Sequence, residues 1–171
     1  YNDAEFLIKK LTTGKQVLIG SSMGGWIMLM LCKLLPQKVS AMIGLAPAPD
    51  FPQNLIWKNM NSSQRRQLIL NKSINFVDQN GSNNFFSYNL IKDSFKNLTL
   101  SEDICFEGPI NIYHGMKDQD VPYTMSIEIL KKIKGSQNVS LLLDKQAGHR
   151  LSESDQLCTI IDIIKKTLIN V

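Results

Sequence analysis

The sequence contains few cysteines, and they are widely separated. Only three occur among 171 residues, at Cys32, Cys105 and Cys158. An odd number at these spacings excludes a disulfide framework, and the lack of a C-x-x-C pair excludes the usual cysteine-based metal sites, so no metal ion is expected. Unpaired cysteines are typical of a reducing compartment, and no signal peptide is visible. Together these features predict a cytoplasmic protein.

Long apolar runs are also lacking. The most apolar stretch, residues 26–35, is interrupted by Lys33 and is shorter than the ~18 residues of a membrane-spanning helix, so no membrane span is expected. The net charge is only +4, and no aromatic residues are interleaved with the lysines as they would be on a nucleic-acid-binding surface. With 43% hydrophobic residues, the chain is expected to form a globular domain that does not bind nucleic acid.

Short apolar segments alternate with helical segments near both ends of the chain. Each apolar segment is bounded by turn residues and is predicted to form a buried strand; these segments are residues 17–19, 41–46, 110–113 and 139–143. Helices are predicted between or after them, at residues 24–35, 123–134 and 152–169. This alternation predicts an α/β fold, with a parallel sheet covered by helices on both faces.

Residues 50–108 interrupt that alternation. The segment is rich in Asn, Ser and aromatic residues, and helices are predicted near residues 63–71 and 87–97. The chain is therefore expected to be a single domain, residues 1–171, that carries a helical insertion at about 50–108.

A G-x-S-x-G sequence, GSSMG at residues 20–24, lies between the first predicted strand and the next helix. In this motif the serine sits on a tight, strained turn that raises its hydroxyl above the sheet. The motif identifies Ser22 as a candidate nucleophile. Side chains at Gly20 and Gly24 are expected to collide across the turn. The N–H of Met23, at the start of the helix, is a candidate donor to an oxyanion.

The chain has only two histidines that could act as a base for Ser22. His149 follows the last predicted strand, so the carboxyl edge of the sheet would present it beside Ser22. His114 ends another strand, directly before Gly115, and is expected to be structural and hydrogen-bonded within its loop. We therefore predict that His149 is the base.

The acid that orients His149 should follow a strand that lies between the nucleophile and the base in sequence. The segment HGMKDQDVP, residues 114–122, offers Asp118 and Asp120. The order Ser…Asp…His is the one that strand–turn–helix hydrolases use. Asp118 is preferred, because Asp120 is a plausible cap for the helix that begins near Pro122.

These motifs resemble those of the α/β-hydrolase superfamily. HGMKDQDVP is similar to its H-G-x-x-D-x-x-V-P acid loop, in which the acid is the residue at Asp118. Together with GSSMGGW and AGHRLS, the segment resembles a group of small esterases that includes mitochondrial palmitoyl-protein thioesterases and acyl-glucuronide esterases. The resemblance implies that the chain hydrolyses small-molecule carboxylic esters or thioesters through an acyl-enzyme, without a cofactor. It also implies that residues 50–108 form a cap, in which acyl-pocket and plain packing roles stay open for four apolar residues: Leu55, Trp57, Phe85 and Phe86.

The sequence departs from the family pattern at its N-terminal end. The family fold has eight strands with the nucleophile after the fifth, whereas Ser22 follows the first strand of this chain. The chain thus resembles the C-terminal two-thirds of the family. It is expected to lack the N-terminal strands and the loop after the third strand, which donates the second oxyanion N–H. The strand at 17–19 would leave an apolar edge unpaired. One alternative is a truncated or split-gene product with little activity alone, which could pair with a separately encoded N-terminal segment; another is an acyltransferase or peptidase on the same fold.

Overall fold

The computed structural model describes residues 1–77 and 83–171. The helices are α1 (Asn2–Leu11), α2 (Met23–Leu34), α3 (Ser62–Asn71), α4 (Tyr88–Ser94), α5 (Thr124–Lys132) and α6 (Ser154–Ile169). The strands are β1 (Gln16–Ser21), β2 (Val39–Leu45), β3 (Ser73–Val77), β4 (Asn83–Ser87), β5 (Ile104–Phe106), β6 (Ile110–Gly115), β7 (Ile133–Gly135) and β8 (Val139–Asp144). A short 3₁₀ turn (Pro36–Lys38) and a π-helical turn (Pro52–Trp57) complete the described elements.

The main sheet contains the four strands that the sequence predicts. Their order is β1-β2-β6-β8, and every neighbouring pair is parallel. One row of the register joins Ser21, Leu45, Tyr113 and Leu142 near the carboxyl ends of the strands. The loops that follow β1, β6 and β8 therefore emerge at the same edge of the sheet.

Helices cover both faces of this sheet, as predicted. On one face, Leu29 of α2 and Ile129 of α5 pack in a cluster with Met42 and Ile112 of the strands. Apolar residues of α6 pack on the other face, against Tyr113 and its neighbours. The two central strands, β2 and β6, are largely buried between the helical layers, whereas the outer strands β1 and β8 are partly exposed.

Strand β1 lies at an edge of the main sheet. Within the described residues it pairs with β2 alone, and the Ile19 side chain is 50% exposed. Helix α1 packs against α2 through Ile8, which contacts Leu31 and Leu35. The edge of β1 thus has the apolar character expected from the sequence.

The chain divides into two compact units. The first comprises Tyr1–Pro49 and Thr99–Val171, and the second comprises Asp50–Leu98. The second unit has its own apolar cluster, to which Ile56, Leu68 and Ile91 contribute. Helix α3 begins with a reciprocal pair of hydrogen bonds between Asn61 and Gln64.

The second unit contains, besides its helices, an antiparallel hairpin of β3 and β4 that the sequence did not predict. Ile74 pairs with Phe86, and both pack against the unit's apolar cluster, whereas Phe85 is 65% exposed. This period-two alternation is the pattern of a half-buried strand. The adjacent Phe85 and Phe86 of β4 concealed it in the sequence, because an exposed aromatic residue there stands next to a packed one.

A second small pairing also escaped prediction. Strands β5 and β7 form a parallel two-stranded sheet within the first unit. Ile133 was expected to continue the preceding helix, but α5 ends at Lys132 and Ile133 is extended.

Across the described ranges, none of the helices combines the length and apolarity that a bilayer crossing requires.

Candidate active site

Ser22 occupies the tight turn between β1 and α2. Its φ of 51° and ψ of −121° are unusual for a residue with a side chain. Three backbone hydrogen bonds hold it there: its N–H donates to the Leu45 carbonyl, and its own carbonyl accepts from Gly25 and Ala48. The strained serine turn that the G-x-S-x-G motif predicts is therefore present.

The glycines around Ser22 have different roles from those expected. A Cβ on Gly20 would lie 2.5 Å from the Gly24 carbonyl oxygen, so Gly20 must lack a side chain. A Cβ on Gly24 would meet nothing within 4 Å, which contradicts the predicted collision. Gly25 is the constrained partner, because its Cβ would lie 2.4 Å from the Cβ of Pro47. The sequence signal was the third glycine of GSSMGGW, Gly25, which the motif does not include.

The three residues predicted to act together lie in one hydrogen-bonded chain. Nε2 of His149 is 3.0 Å from Oγ of Ser22, and Nδ1 of His149 is 2.7 Å from Oδ2 of Asp118. The Asp118 side chain is fully buried and that of His149 is 20% exposed. With Nδ1 donating to the carboxylate, Nε2 is free to accept the Ser22 hydroxyl proton.

Asp118 accepts hydrogen bonds at both carboxylate oxygens. Oδ1 accepts the backbone N–H groups of Asp120 and Val121, at 2.9 and 2.8 Å. Oδ2 accepts from His149 and also lies 3.1 Å from Nε2 of His114. Asp120 is exposed, and α5 has Tyr123 at its N-cap without a side-chain bond, so the capping role expected of Asp120 is wrong.

The pKa values of Asp118 and His149 shift in opposite directions. Burial opposes ionisation of Asp118, but hydrogen bonds from His114, His149 and the Val121 N–H outweigh it and hold the Asp118 pKa well below its usual range. The hydrogen bond to Asp118 raises the pKa of His149 above its ordinary value, although burial acts against it. The pair therefore consists of an ionised acid beside an imidazole that is more basic than an ordinary histidine.

The loop that carries His149 is held by Asp144, which sequence reasoning missed. Oδ1 of Asp144 accepts the N–H groups of Gln146 and Ala147, at 2.8 and 3.1 Å. The Tyr113 hydroxyl donates to Oδ2 at 2.8 Å. Burial and this bond raise the pKa of Tyr113 to about 12. A strand-ending aspartate three residues before a small residue is the available signal, since it is typical of an Asx-type turn.

Backbone hydrogen bonds join the acid loop to the histidine loop. The N–H of Met116 donates to the Asp144 carbonyl at 2.7 Å, and that of Lys117 donates to the Ala147 carbonyl at 2.9 Å. The Lys117 ammonium also donates to the Gln146 side chain. The two loops therefore fix the distance between Asp118 and His149.

Met23 is the first residue of α2, where the helix provides no acceptor for its N–H. That N–H directly follows Ser22 in the chain, as the motif requires for an oxyanion donor.

Within the described residues, Asp118, Asp120 and His149 also bring ligand atoms within 4.8 Å of one another. Hydrogen bonds already occupy both oxygens of Asp118 and both nitrogens of His149, so this group is poorly suited to a metal ion.

Comparison with known proteins identifies the fold. A family model described as the alpha/beta hydrolase fold matches residues 1–68. The putative hydrolase from Agrobacterium vitis S4 is 31% identical with a TM-score of 0.89, covering 96% of this chain and 66% of that one. The chain has the α/β-hydrolase fold. Mouse alpha/beta hydrolase domain-containing protein 10 is 29% identical with a TM-score of 0.83, covering 96% of this chain and 68% of that one.

Curated relatives agree with the structural ones. Human mitochondrial palmitoyl-protein thioesterase ABHD10 is 32% identical over 179 residues, which cover 98% of this chain. The chain spans 57% of that relative's length. The resemblance to this group of thioesterases, predicted from GSSMGGW and AGHRLS, is confirmed.

The prediction of a cytoplasmic location is wrong. The mammalian relatives, from rat to human, are named as mitochondrial proteins. The cysteine pattern distinguishes an oxidising compartment from a reducing one and does not single out the cytoplasm.

Proposed function

We propose that this chain carries the active site of a serine hydrolase that cleaves carboxylic esters or thioesters. The observation that carries the proposal is the continuous hydrogen-bonded chain from Asp118 through His149 to Ser22, with distances of 2.7 and 3.0 Å. Relatives that are named as hydrolases and thioesterases support the reaction class. The strained backbone of Ser22 supports its role as the nucleophile.

The first half of the reaction forms an acyl-enzyme. Oγ of Ser22 attacks the acyl carbon while Nε2 of His149 takes the hydroxyl proton. The Met23 N–H donates to the developing oxyanion. The bond to the leaving oxygen or sulfur then breaks, and the imidazolium returns its proton to that atom. Asp118 stabilises the imidazolium and holds its Nδ1–H orientation.

The second half restores the free enzyme. A water molecule attacks the acyl carbon, and His149 takes one of its protons. The acid is released as the bond to Oγ breaks, and the proton passes from His149 back to Ser22. Each turnover consumes one water and one ester, and needs neither metal nor redox cofactor.

Trapping the intermediate tests this proposal. A slowly deacylated p-nitrophenyl ester or thioester should add the mass of its acyl group to the peptide that contains Ser22. Ser22→Ala should carry no adduct, whereas Ser21→Ala, at the neighbouring exposed serine, should carry it as the wild type does. An adduct on another residue would remove Ser22 from the role.

We further propose that the inserted segment at about residues 50–108, which includes the second unit, contributes side chains that bind the acyl group. Its Trp57 and Phe86 pack with the unit's own apolar cluster, which favours a structural role for both. Phe85 is exposed and is the stronger candidate for contact with an acyl chain. Phe85→Ser should raise KM for long-chain esters and leave KM for acetate esters unchanged. Equal effects on both substrates would contradict the cap role of Phe85.

An alternative proposal is that residues 1–171 contain the catalytic residues but have little activity on their own. The chain spans 57% of its curated relatives, and β1 presents an edge with an exposed Ile19. Loss of one oxyanion donor costs about 10²–10³ in kcat, so turnover could depend on an additional N-terminal segment, encoded with this chain or separately. Adding the corresponding segment of a relative should then raise kcat by that factor. Equal kcat with and without it would show that the donors within residues 1–171 suffice.

A further inference from the structure

His114 is a buried histidine that the proposed reaction does not use. Its side chain, at the end of β6, is fully inaccessible to solvent. Nε2 lies 3.1 Å from Oδ2 of Asp118 and 3.0 Å from the Val121 carbonyl oxygen. Both of these groups can only accept a hydrogen bond while Asp118 is ionised. Nε2 of His114 must therefore carry a proton.

Ser126 defines the other side of the same ring. Its Oγ lies 2.6 Å from Nδ1 of His114, and its side chain on α5 is fully buried. A hydroxyl can donate to Nδ1, which leaves the ring neutral with its proton on Nε2. The serine thus selects the one tautomer that can donate to Asp118.

We propose that Ser126 and His114 form a positioning pair for the acid of the active site. The pair holds Asp118 so that Oδ2 faces His149. Oδ2 then accepts two hydrogen bonds, one from His114 and one from His149. This inference rests on the proposed function, since it assigns Asp118 and His149 the roles given above. His114 touches no substrate and acts only through Asp118.

The geometry favours such a role over simple core packing. The backbone N–H groups of Asp120 and Val121 hold Oδ1 of Asp118 and do not donate to Oδ2. The His114 donor, together with that of His149, fixes Oδ2. A site whose acid is held at both oxygens is preorganised before substrate binds.

The shared oxygen also predicts an electrostatic effect. Both histidines donate to Oδ2 of Asp118. Removing the His114 donor would leave Oδ2 a stronger acceptor for the N–H of His149. The pKa of His149 should then rise further. Asp120, which raises this pKa, and Arg150, which lowers it, are the other charged groups that act on His149. Neither contacts His114 in the described structure, so changes at His114 should leave both influences in place.

NMR titration of His149 tests the pair without requiring turnover. The variants are His114→Phe, which has no donor, His114→Gln, whose amide can donate from the Nε2 position, and Ser126→Ala. We expect the His149 titration midpoint to rise in His114→Phe and, to a smaller extent, in Ser126→Ala, and to return toward the wild-type value in His114→Gln. Midpoints that do not move in correctly folded variants would overturn the proposal.

The tautomer of His114 provides a second measurement on the wild-type chain, which covers the case in which His114→Phe does not fold. Imidazole nitrogen spectra should show a neutral His114 protonated at Nε2. Protonation at Nδ1, or a ring that exchanges between tautomers, would overturn the proposal.

Kinetics separate this inference from the proposed function. In His114→Phe, kcat should fall about 10- to 100-fold, the effect of losing one hydrogen bond to a charged group, while KM is unchanged. His114→Gln should recover most of this loss. A shifted His149 titration in a chain that forms no acyl-enzyme would support the positioning pair and refute the hydrolase proposal. Normal turnover in all three variants would support the hydrolase proposal and refute the positioning pair.

Discussion

Nε2 of His149 lies 3.0 Å from Oγ of Ser22, although the two residues are 127 positions apart in the sequence. The loops after β1 and β8 create this proximity, because parallel strands end at a common edge of the sheet. Asp118 reaches the same edge through the loop after β6. The order of the strands therefore brings the serine and the histidine together. The residues that shape the two loops determine the exact distance between Nε2 and Oγ.

The serine turn should tolerate a side chain at Gly24 but not at Gly25. Gly24→Ala meets no atom within 4 Å and replaces glycine within a helix, so it should stabilise the fold by up to about 1 kcal/mol. Gly25→Ala would place its Cβ 2.4 Å from Pro47 and force the turn to move. Thermal unfolding and the rate of Ser22 acylation are the measurements. Similar losses in both variants would contradict the packing described for this turn.

Replacement of the two candidate acids should separate their roles. Asp118→Asn should lower kcat about 10⁴-fold, by analogy with the serine proteases, because the amide no longer fixes the required tautomer of His149. Asp120→Asn is the matched control: its side chain is exposed and its backbone N–H, which Asp118 accepts, is retained. Steady-state kinetics on a short p-nitrophenyl ester measures both. A larger effect from Asp120→Asn would reverse the assignment.

The pH dependence follows from the raised pKa of His149. The imidazole must be neutral to accept the Ser22 proton, so kcat/KM should rise with pH through one ionisation whose midpoint lies above the ordinary histidine value of 6.5. Asp118→Asn removes the hydrogen bond and the charge that raise this pKa, so the midpoint should move to lower pH even as the maximum rate falls. A flat profile from pH 5 to 8, on a substrate without ionisable groups, would argue against a histidine base.

Asp144 should stabilise the histidine loop. Asp144→Ala removes the acceptor of two backbone N–H groups and leaves the Tyr113 hydroxyl without its carboxylate partner. We expect a loss of about 1–3 kcal/mol in the free energy of unfolding, together with a lower kcat. Tyr113→Phe removes only the side-chain bond, so it should cost less and leave kcat near the wild-type value. Denaturant unfolding and steady-state kinetics distinguish these outcomes.

The sequence predicts the main sheet and the placement of Ser22, Asp118 and His149 well, because both depend on strong local signals. The four strands are short and mostly apolar, and the loops at their carboxyl ends carry the polar residues of the site. The hairpin of β3 and β4 was missed because Phe85, which is exposed, stands next to the packed Phe86 and interrupts the alternation of β4. The pairing of β5 with β7 depends on contacts between segments that are distant in sequence, which propensity does not report.

The supporting residues around the site were harder to predict for a related reason. The roles of Gly25 and Asp144 arise from packing against Pro47 and from hydrogen bonds to a loop, and the local sequence signals for them are weak. His114 was expected to be structural within its loop. Its ring is hydrogen-bonded within that loop, to Asp118 and Val121, but the sequence does not indicate that the carboxylate of the acid is one of its partners.

The central claim is that Ser22 is the activated nucleophile, and labelling with a fluorophosphonate probe tests it most directly. The wild type and Ser21→Ala should be labelled at equal rates, on the peptide that contains Ser22, and the rate should rise with pH as His149 loses its proton. Ser22→Ala should not be labelled. Labelling of Ser22→Ala at the wild-type rate would contradict the account.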